Sequence, residues 1–229
     1  MSHLKIKAFE DFKEVFEEIK DKTYAAKLTN DKDVGDFFER LLGKDVDSDQ
    51  LPDLSEINTE LKTGTGKGRT TSFTKTFSGG LTTRKLLYKH GYYSGGIKRL
   101  NSTVTTRPNN LGFYLKVKKD RLFLMKNNKE LSYWEIGVLI ESLAGKMPNL
   151  AYIIYEKGKN EVIFKDCTLY KKVNLNNFIK LREENLIVAD LRVREGYIDE
   201  TCSVRDRGTA FKVNSHTIYD YIFEEKEIV

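Results

Sequence analysis

The sequence predicts an α/β protein with a central mixed β-sheet flanked by helices. Amphipathic helical periodicity at the N-terminus, β-branched alternating runs through the middle and two hairpin-like strand pairs predict it. The 229 residues suffice for one substantial core, and 39% hydrophobic with 32% charged content is that of an ordinary soluble globular chain. Helix signals fall at about 7–20, 33–42, 81–90, 132–144, 174–183 and 215–223. In the first, Phe9, Phe12, Val15, Phe16 and Ile19 recur at helical spacing. Asp33 is placed to cap the second and Gly43 to end it, and Ser132 with Glu135 reads as a capping box for the fourth, whose apolar face runs from Trp134 to Leu143. Strand signals fall at about 54–62, 70–77, 102–106, 111–117, 121–125, 150–156, 161–165, 186–193 and 209–213. The pairs 111–117 with 121–125 and 150–156 with 161–165 read as hairpins, and LAYIIYE (150–156) reads as a buried strand.

No run of about 18 apolar residues exists to span a membrane, and MSHLKIKAFEDFKEVFEEIK lacks a signal peptide's apolar centre. With only Cys167 and Cys202 and no export signal, a disulfide framework is not expected and the cytoplasm is the expected compartment. The two cysteines and His3, His90 and His216 stand too far apart for zinc-ligand spacing.

The net charge of +5 conceals a sharp asymmetry. Residues 1–60 carry 9 Lys/Arg and 16 Asp/Glu, residues 61–119 carry 13 Lys/Arg and no carboxylate, and residues 120–229 carry 17 and 18. The acid-free stretch also holds Phe73, Phe77, Tyr88, Tyr92, Tyr93, Phe113 and Tyr114 among many small polar residues. Cations displace the counterions of a phosphate backbone, so this footprint favours nucleic acid over a merely solvated basic face.

One stretch carries candidate chemistry. In LPDLSEINTELKTGTGKGR (51–69), strand alternation puts Glu60 and Lys62 on one face and Leu61 on the other. A kink or bulge between 53 and 60 would bring the Asp53 carboxylate to Glu60. Two close carboxylates repel unless a cation bridges them, and a hard divalent ion such as Mg²⁺ suits them, with the Leu61 carbonyl as a further ligand. Lys62 would then orient the attacking water and the scissile phosphate of a phosphodiester. Taken alone, Asp-x6-Glu-x-Lys is a weak pattern that a solvated strand edge would also show.

GTGKGRTT (64–71) fails the nucleotide-loop pattern, since Arg69 follows Gly68, yet Lys67 and Arg69 of this turn could still bind DNA phosphates. YKHGYYSGG (88–96) reads more readily as a packed loop than as one inserted into a groove. Arg107, Asn109 and Asn110 of TTRPNN are residue types that read guanine and adenine edges, and a polar turn explains them equally.

DVGDFFERLLG (33–43) followed by PDLSEINTELKTG (52–64) resembles the PD-(D/E)XK nucleases, and within them the MvaI/BcnI-type restriction endonucleases, to which the repair nickase MutH is related. STVTTRPNNLGFYL (102–115) and RDRGTAFK (205–212) resemble two further segments of that branch, so the likeness runs in patches from about residue 24 to 223. It implies a PD-(D/E)XK restriction-endonuclease-like fold and a type II site-specific deoxyribonuclease that hydrolyses double-stranded DNA with Mg²⁺, leaving 5′-phosphate and 3′-hydroxyl ends. It implies catalytic Asp53, Glu60 and Lys62, with Glu39 as an accessory group near the metal, and Asp53, Glu60 and Leu61 as metal ligands. It adds Thr63, Arg205, Arg207, Thr209 and Lys212 to the DNA-binding candidates. Arg207 replaces the histidine usual in the family's Asp-His-Gly-Thr string, which puts the recognition sequence in question.

The resemblance further implies a monomer whose genetic, not necessarily physical, partner is a cognate DNA methyltransferase. The expected organisation is one nuclease domain over 1–229, or two lobes, a catalytic one over about 1–80 with parts of 145–195 and a DNA-recognition one from about 81–130 and 196–229. A MutH-like strand-nicking enzyme and a non-catalytic DNA-binding protein are the alternatives.

Overall fold

The computed structural model describes residues 6–44, 51–174, 177, 187–198, 201–213 and 216–229. The helix expected at 174–183 lies, apart from residues 174 and 177, outside the described residues. No helix among the described residues is long and apolar enough to cross a membrane. The chain divides into two compact units: unit 1 is 1–70, 144–177 and 215–229, and unit 2 is 71–143 and 178–214. The C-terminal segment 215–229, expected in a recognition lobe, thus falls in unit 1.

Unit 1 is a mixed sheet with two longer helices and, among the described residues, a short helix at Tyr219–Ile222. Strands β1 (Thr23–Ala25), β2 (Thr59–Gly64), β10 (Asn149–Lys157) and β11 (Glu161–Val173) lie in the order β1-β11-β10-β2, and β15 (Phe223–Ile228) also pairs with β11. β10 runs antiparallel to β11, the expected hairpin, and parallel to β2. β10 is the buried strand its sequence promised, with Leu150, Ala151 and Ile153 fully inaccessible. Helix α1 (Phe9–Ile19) buries Phe12, Val15, Phe16 and Ile19. Helix α2 (Asp31–Leu41) buries Val34 and Phe38 against the same core.

Asn30, not Asp33, caps α2: its side chain accepts from Asp33 N at 3.1 Å. Asp33 sits one turn in and bonds back to the amides of Thr29 (2.7 Å) and Asn30 (3.2 Å), so the acidic signal in the sequence was the inner half of a capping box. Gly43, at φ 75°, ends the helix as expected.

Unit 2 holds two sheets. One orders β3 (Thr70–Lys75), β14 (Thr209–Val213), β12 (Ile187–Ile198), β6 (Ile97–Val104) and β5 (Tyr92–Ser94), with β13 (Thr201–Asp206) also on β12. The other orders β4 (Gly79–Gly80), β9 (Lys129–Glu135), β8 (Arg121–Lys126) and β7 (Phe113–Lys118), and β7 with β8 is the second expected hairpin. Helix α3 (Thr83–His90) packs on β6, β12 and β13.

The expected capping box at Ser132–Glu135 is corrected: these residues belong to β9, and α4 spans Ile136–Lys146. Ser132 is buried and donates to the Leu81 carbonyl at 3.0 Å, while Trp134 is fully buried in the strand. Pairing with β8 outweighs a local Ser-x-x-Glu pattern, because the apolar alternation of 130–134 matches a sheet face as well as a helix stripe.

Asn109 is internal to its loop. Its Nδ2 donates to Ser102 Oγ and the Thr103 carbonyl, both at 2.8 Å, and its Oδ1 accepts from the amides of Leu111 and Phe113, both at 3.0 Å. Both donor hydrogens and both acceptor lone pairs are therefore engaged.

Two outcomes follow from this packing. Phe38→Ala removes a fully buried ring whose centroid lies 4.8 Å from that of Phe164, and should cost about 3–5 kcal/mol of unfolding free energy by urea titration. Asn109→Ala orphans two loop amides and should cost about 1–3 kcal/mol by the same measurement.

Candidate active site

The site is built at the start of β2. After Pro52 and Asp53 the chain turns through a 3₁₀ segment at Ser55–Ile57, and Asn58 takes a left-handed conformation at φ 48°. Leu54 and Thr59 then close the turn with reciprocal main-chain bonds of 2.8 and 3.0 Å. The expected strand at 54–62 is thus a turn followed by a strand from 59. This is the kink that returns Asp53 to β2. β2 ends the sheet order, and Asp53 Oδ2 accepts from the Leu61 amide at 2.9 Å.

Alternation along β2 follows the sequence reading. Leu61 joins the core cluster with Ile57, while Glu60 and Lys62 share the other face and bond to each other. The Glu60 side chain is only 1% exposed. Burial pushes its carboxyl above the usual carboxylate range and the Asp53 charge pushes the same way, against the opposing pull of Lys62 and Lys146.

Two lysines that sequence reasoning missed complete the arrangement. Lys146, the last residue of α4, places Nζ 2.9 Å from Glu60 Oε2 and 3.8 Å from Asp53 Oδ1, and donates to the Leu51 carbonyl at 2.7 Å. Lys44, just past α2, lies 3.9 Å from Asp53 Oδ1 and 3.6 Å from Glu39 Oε2. Three carboxylates therefore interleave with three ammonium groups. Glu39 reaches the site through Lys44, and among the described residues no three Asp, Glu, His or Cys side chains form a metal-binding group by themselves. In sequence, each missed lysine resembles an ordinary cation at a helix C-terminus.

The donor set nevertheless fits a hard cation. Two neighbouring carboxylates, one of them deeply buried, are held by main-chain geometry at the point where negative charge most needs compensation. Mg²⁺ commonly binds through one or two carboxylates while retaining water and taking phosphate oxygen.

α2 runs close to this strand: a Cβ at Gly35 would make an ordinary contact with Thr63 Oγ1 at 3.5 Å, and Glu39 follows one turn later. Gly64 is required for space, since a Cβ would lie 2.2 Å from Tyr152 Oη. That hydroxyl bonds to Thr70 and to the Gly66 main chain, which anchors the glycine-rich turn and leaves Lys67 and Arg69 exposed.

The remaining DNA-binding candidates fall in unit 2. Arg107, Asn110, Arg205 and Arg207 are exposed. Asn109 is committed to its own loop, which removes it as a base reader. Thr209 is 4% exposed within β14, so its side chain is not offered to DNA. Lys212 is paired with Asp190 at 2.6 Å. The stretch 88–96, expected as a packed loop, is the end of α3 and strand β5 with its turn; its backbone packs, while Tyr88 and Tyr92 are each 39% exposed and Tyr93 is 70% exposed. Glycines 95 and 96 turn the chain at φ 60° and 73°, and a Cβ at either would have no described atom within 4 Å. His90 is half-buried, its ring set edge-on to Phe113 at 5.9 Å.

Two solved structures share this architecture. The chain aligns with the restriction endonuclease MvaI–cognate DNA substrate complex at a TM-score of 0.78 and 22% identity, covering 95% of this chain and 96% of that one. It aligns with the restriction endonuclease MvaI in the absence of DNA at a TM-score of 0.59 and 20% identity, covering 95% of each. These likenesses establish the α/β fold expected for a PD-(D/E)XK enzyme. No curated protein sequence matches the chain. Residues 13–221 match the model of the MvaI/BcnI restriction endonuclease family. The chain belongs to the MvaI/BcnI restriction endonuclease family.

Proposed function

We propose that this restriction endonuclease cuts double-stranded DNA at a specific sequence by Mg²⁺-dependent hydrolysis, leaving 5′-phosphate and 3′-hydroxyl ends. The observation that carries the reading is the buried Glu60 carboxylate beside Asp53, the latter fixed to the Leu61 amide, with Lys62 on the same strand face. Asp53, Glu60 and the Leu61 carbonyl would hold the metal, which supplies Lewis acidity and a lowered water pKa when bound. The MvaI complex with cognate DNA supports duplex DNA as substrate.

The chain's own contribution is positional and electrostatic. Lys62, which donates to Glu60, would donate to a non-bridging phosphate oxygen and orient the water opposite the leaving 3′-oxygen. Lys146 and Lys44 offset the carboxylate charge and keep Glu60, Asp53 and Glu39 in fixed relation. Thr63, Lys67 and Arg69 continue the strand and its turn toward DNA phosphates. Arg107, Asn110, Arg205 and Arg207 supply the exposed polar contacts of unit 2. A monomer in the cytoplasm of a cell that methylates the same sequence with a cognate DNA methyltransferase completes the proposal.

Incubation with unmethylated phage DNA in Mg²⁺ should give discrete fragments from the wild type. Asp53→Ala should give at least a thousand-fold less product, and sequenced fragment ends would report the site. Nicks alone would indicate a MutH-like enzyme, and binding without cleavage on several unmethylated DNAs would leave a DNA-binding protein.

Lys146→Met leaves the Glu60–Asp53 pair short of its nearest shared ammonium. It should lower metal-free stability by about 2–3 kcal/mol and enlarge the rise in melting temperature on adding Mg²⁺. No Mg²⁺-dependent rise in either protein would count against Asp53 and Glu60 as ligands.

A further inference from the structure

Where β6 meets β12 and β13, the sheet of β3, β14, β12, β6, β5 and β13 has one buried and one more exposed face, although towards β14 both faces are covered, with Val188 and Ala210 buried. Leu100 and Val104 of β6 and Leu191 and Val193 of β12 point to the buried face. α3 covers that face: Lys98, of the same parity as Leu100, donates through Nζ to the Tyr88 carbonyl at 3.0 Å. The intervening residues point to the other side. There the strand register aligns a row, since Tyr92 pairs with Arg99, Arg99 with Arg194, and Arg194 with Arg205.

Three guanidinium side chains thus stand directly abreast on three adjacent strands. Like charges directly opposite one another destabilise a sheet, and among the described residues no carboxylate is bonded to them. Asp190 is taken by Lys212 at 2.6 Å. Asp206 accepts from Thr83 Oγ1 at 2.7 Å and from the Gly208 amide at 2.8 Å. Glu195 lies on the covered face, accepting from the Lys98 amide at 2.9 Å. Arg194 and Arg205 are exposed, while Arg99 is half-buried, with its Nε desolvated and without a hydrogen-bond partner.

A row of unpaired arginines maintained against its own repulsion is suited to an anionic partner with repeated charge. Neighbouring strands are about 4.8 Å apart, so the row spans roughly 10 Å. A duplex presents one phosphate per about 3.4 Å of axis on each strand. The geometry points to Arg99, Arg194 and Arg205 as a phosphate-gripping ladder that holds the sugar–phosphate backbone of duplex DNA and positions the protein without reading bases. This deepens the endonuclease reading and rests on it. Arg99 and Arg194 are new contacts, and Arg205 becomes a backbone contact.

Equilibrium binding of the wild type, Arg99→Gln and Arg194→Gln to a random-sequence 20-base-pair duplex tests this, in EDTA across a salt series. Each substitution should weaken binding and reduce the slope of log K against log salt by about 0.9. Each should weaken binding to the cleavage sequence by the same factor, leaving the specificity ratio unchanged. The free variants should melt no lower than the wild type, because repulsion is relieved, and this separates the effect from misfolding. An unchanged slope with wild-type binding intact would overturn the ladder alone. A loss confined to the cleavage sequence would overturn the phosphate assignment in favour of base reading. A wild type that binds no DNA would overturn both the ladder and the endonuclease reading.

Discussion

The hydrogen bond from the Leu61 amide to Asp53 Oδ2 is the constraint on which the site depends. It joins a residue before the turn to the strand after it, so the turn at 54–59 and the first residues of β2 move as one piece. The bond uses an amide that the sheet leaves over, because β2 is paired only with β10 in the sheet order. An edge strand normally exposes such a group to water or to another chain. Here a carboxylate takes it, and one oxygen of Asp53 is thereby fixed while the other faces Lys44 and Lys146. The same geometry brings Asp53 close enough to raise the Glu60 carboxyl. A repulsive pair is held together by main-chain structure, not by attraction between its members.

Much of this was legible in the sequence. The strand alternation that puts Glu60 with Lys62 and opposite Leu61 needed only the period of two. The return of Asp53 was foreseen as a kink without its form, since a Leu-Ser-Glu-Ile-Asn run gives no local sign that Asn58 adopts positive φ. Both hairpins and the buried strand β10 were legible because their apolar patterns are long and their partners adjacent. The cap of α2 was misplaced by one turn, since Asn30 and Asp33 share one capping box and either could have been its outer member.

What was not legible depends on tertiary contact. Lys44 and Lys146 come from helix ends about a hundred residues apart and converge only because β10, which follows α4, pairs parallel with β2. Asn109 looked like a base reader because Asn-Asn beside Arg-Pro is chemically suited to that work, yet its amide is consumed by four loop contacts. Ser132 and Trp134 satisfied a helix pattern that β8 overrode. The arginine row was invisible for the same reason. Arg99, Arg194 and Arg205 are scattered in sequence, and only the register of β6, β12 and β13 makes them neighbours.

The two charge clusters differ in a way that bears on what each is for. In unit 1 the carboxylates of Glu39, Asp53 and Glu60 are matched by Lys44, Lys62 and Lys146, so the chain itself supplies the counter-charge that a desolvated group requires. Such a set is balanced before any ligand arrives, and the proposed divalent cation would compete with the ammonium groups for the same oxygens. In unit 2 the arginines of the row have no carboxylate partner among the described residues, although Asp190, Glu195 and Asp206 lie on the same strands, each already committed to another group. A protein that needed only a stable sheet could have turned one of those acids toward the row. Leaving the row uncompensated lowers the stability of the free protein and raises the free energy released when an anion docks. Internal matching in unit 1 is consistent with the small ion proposed there, and the row of unit 2 with the proposed polyanion.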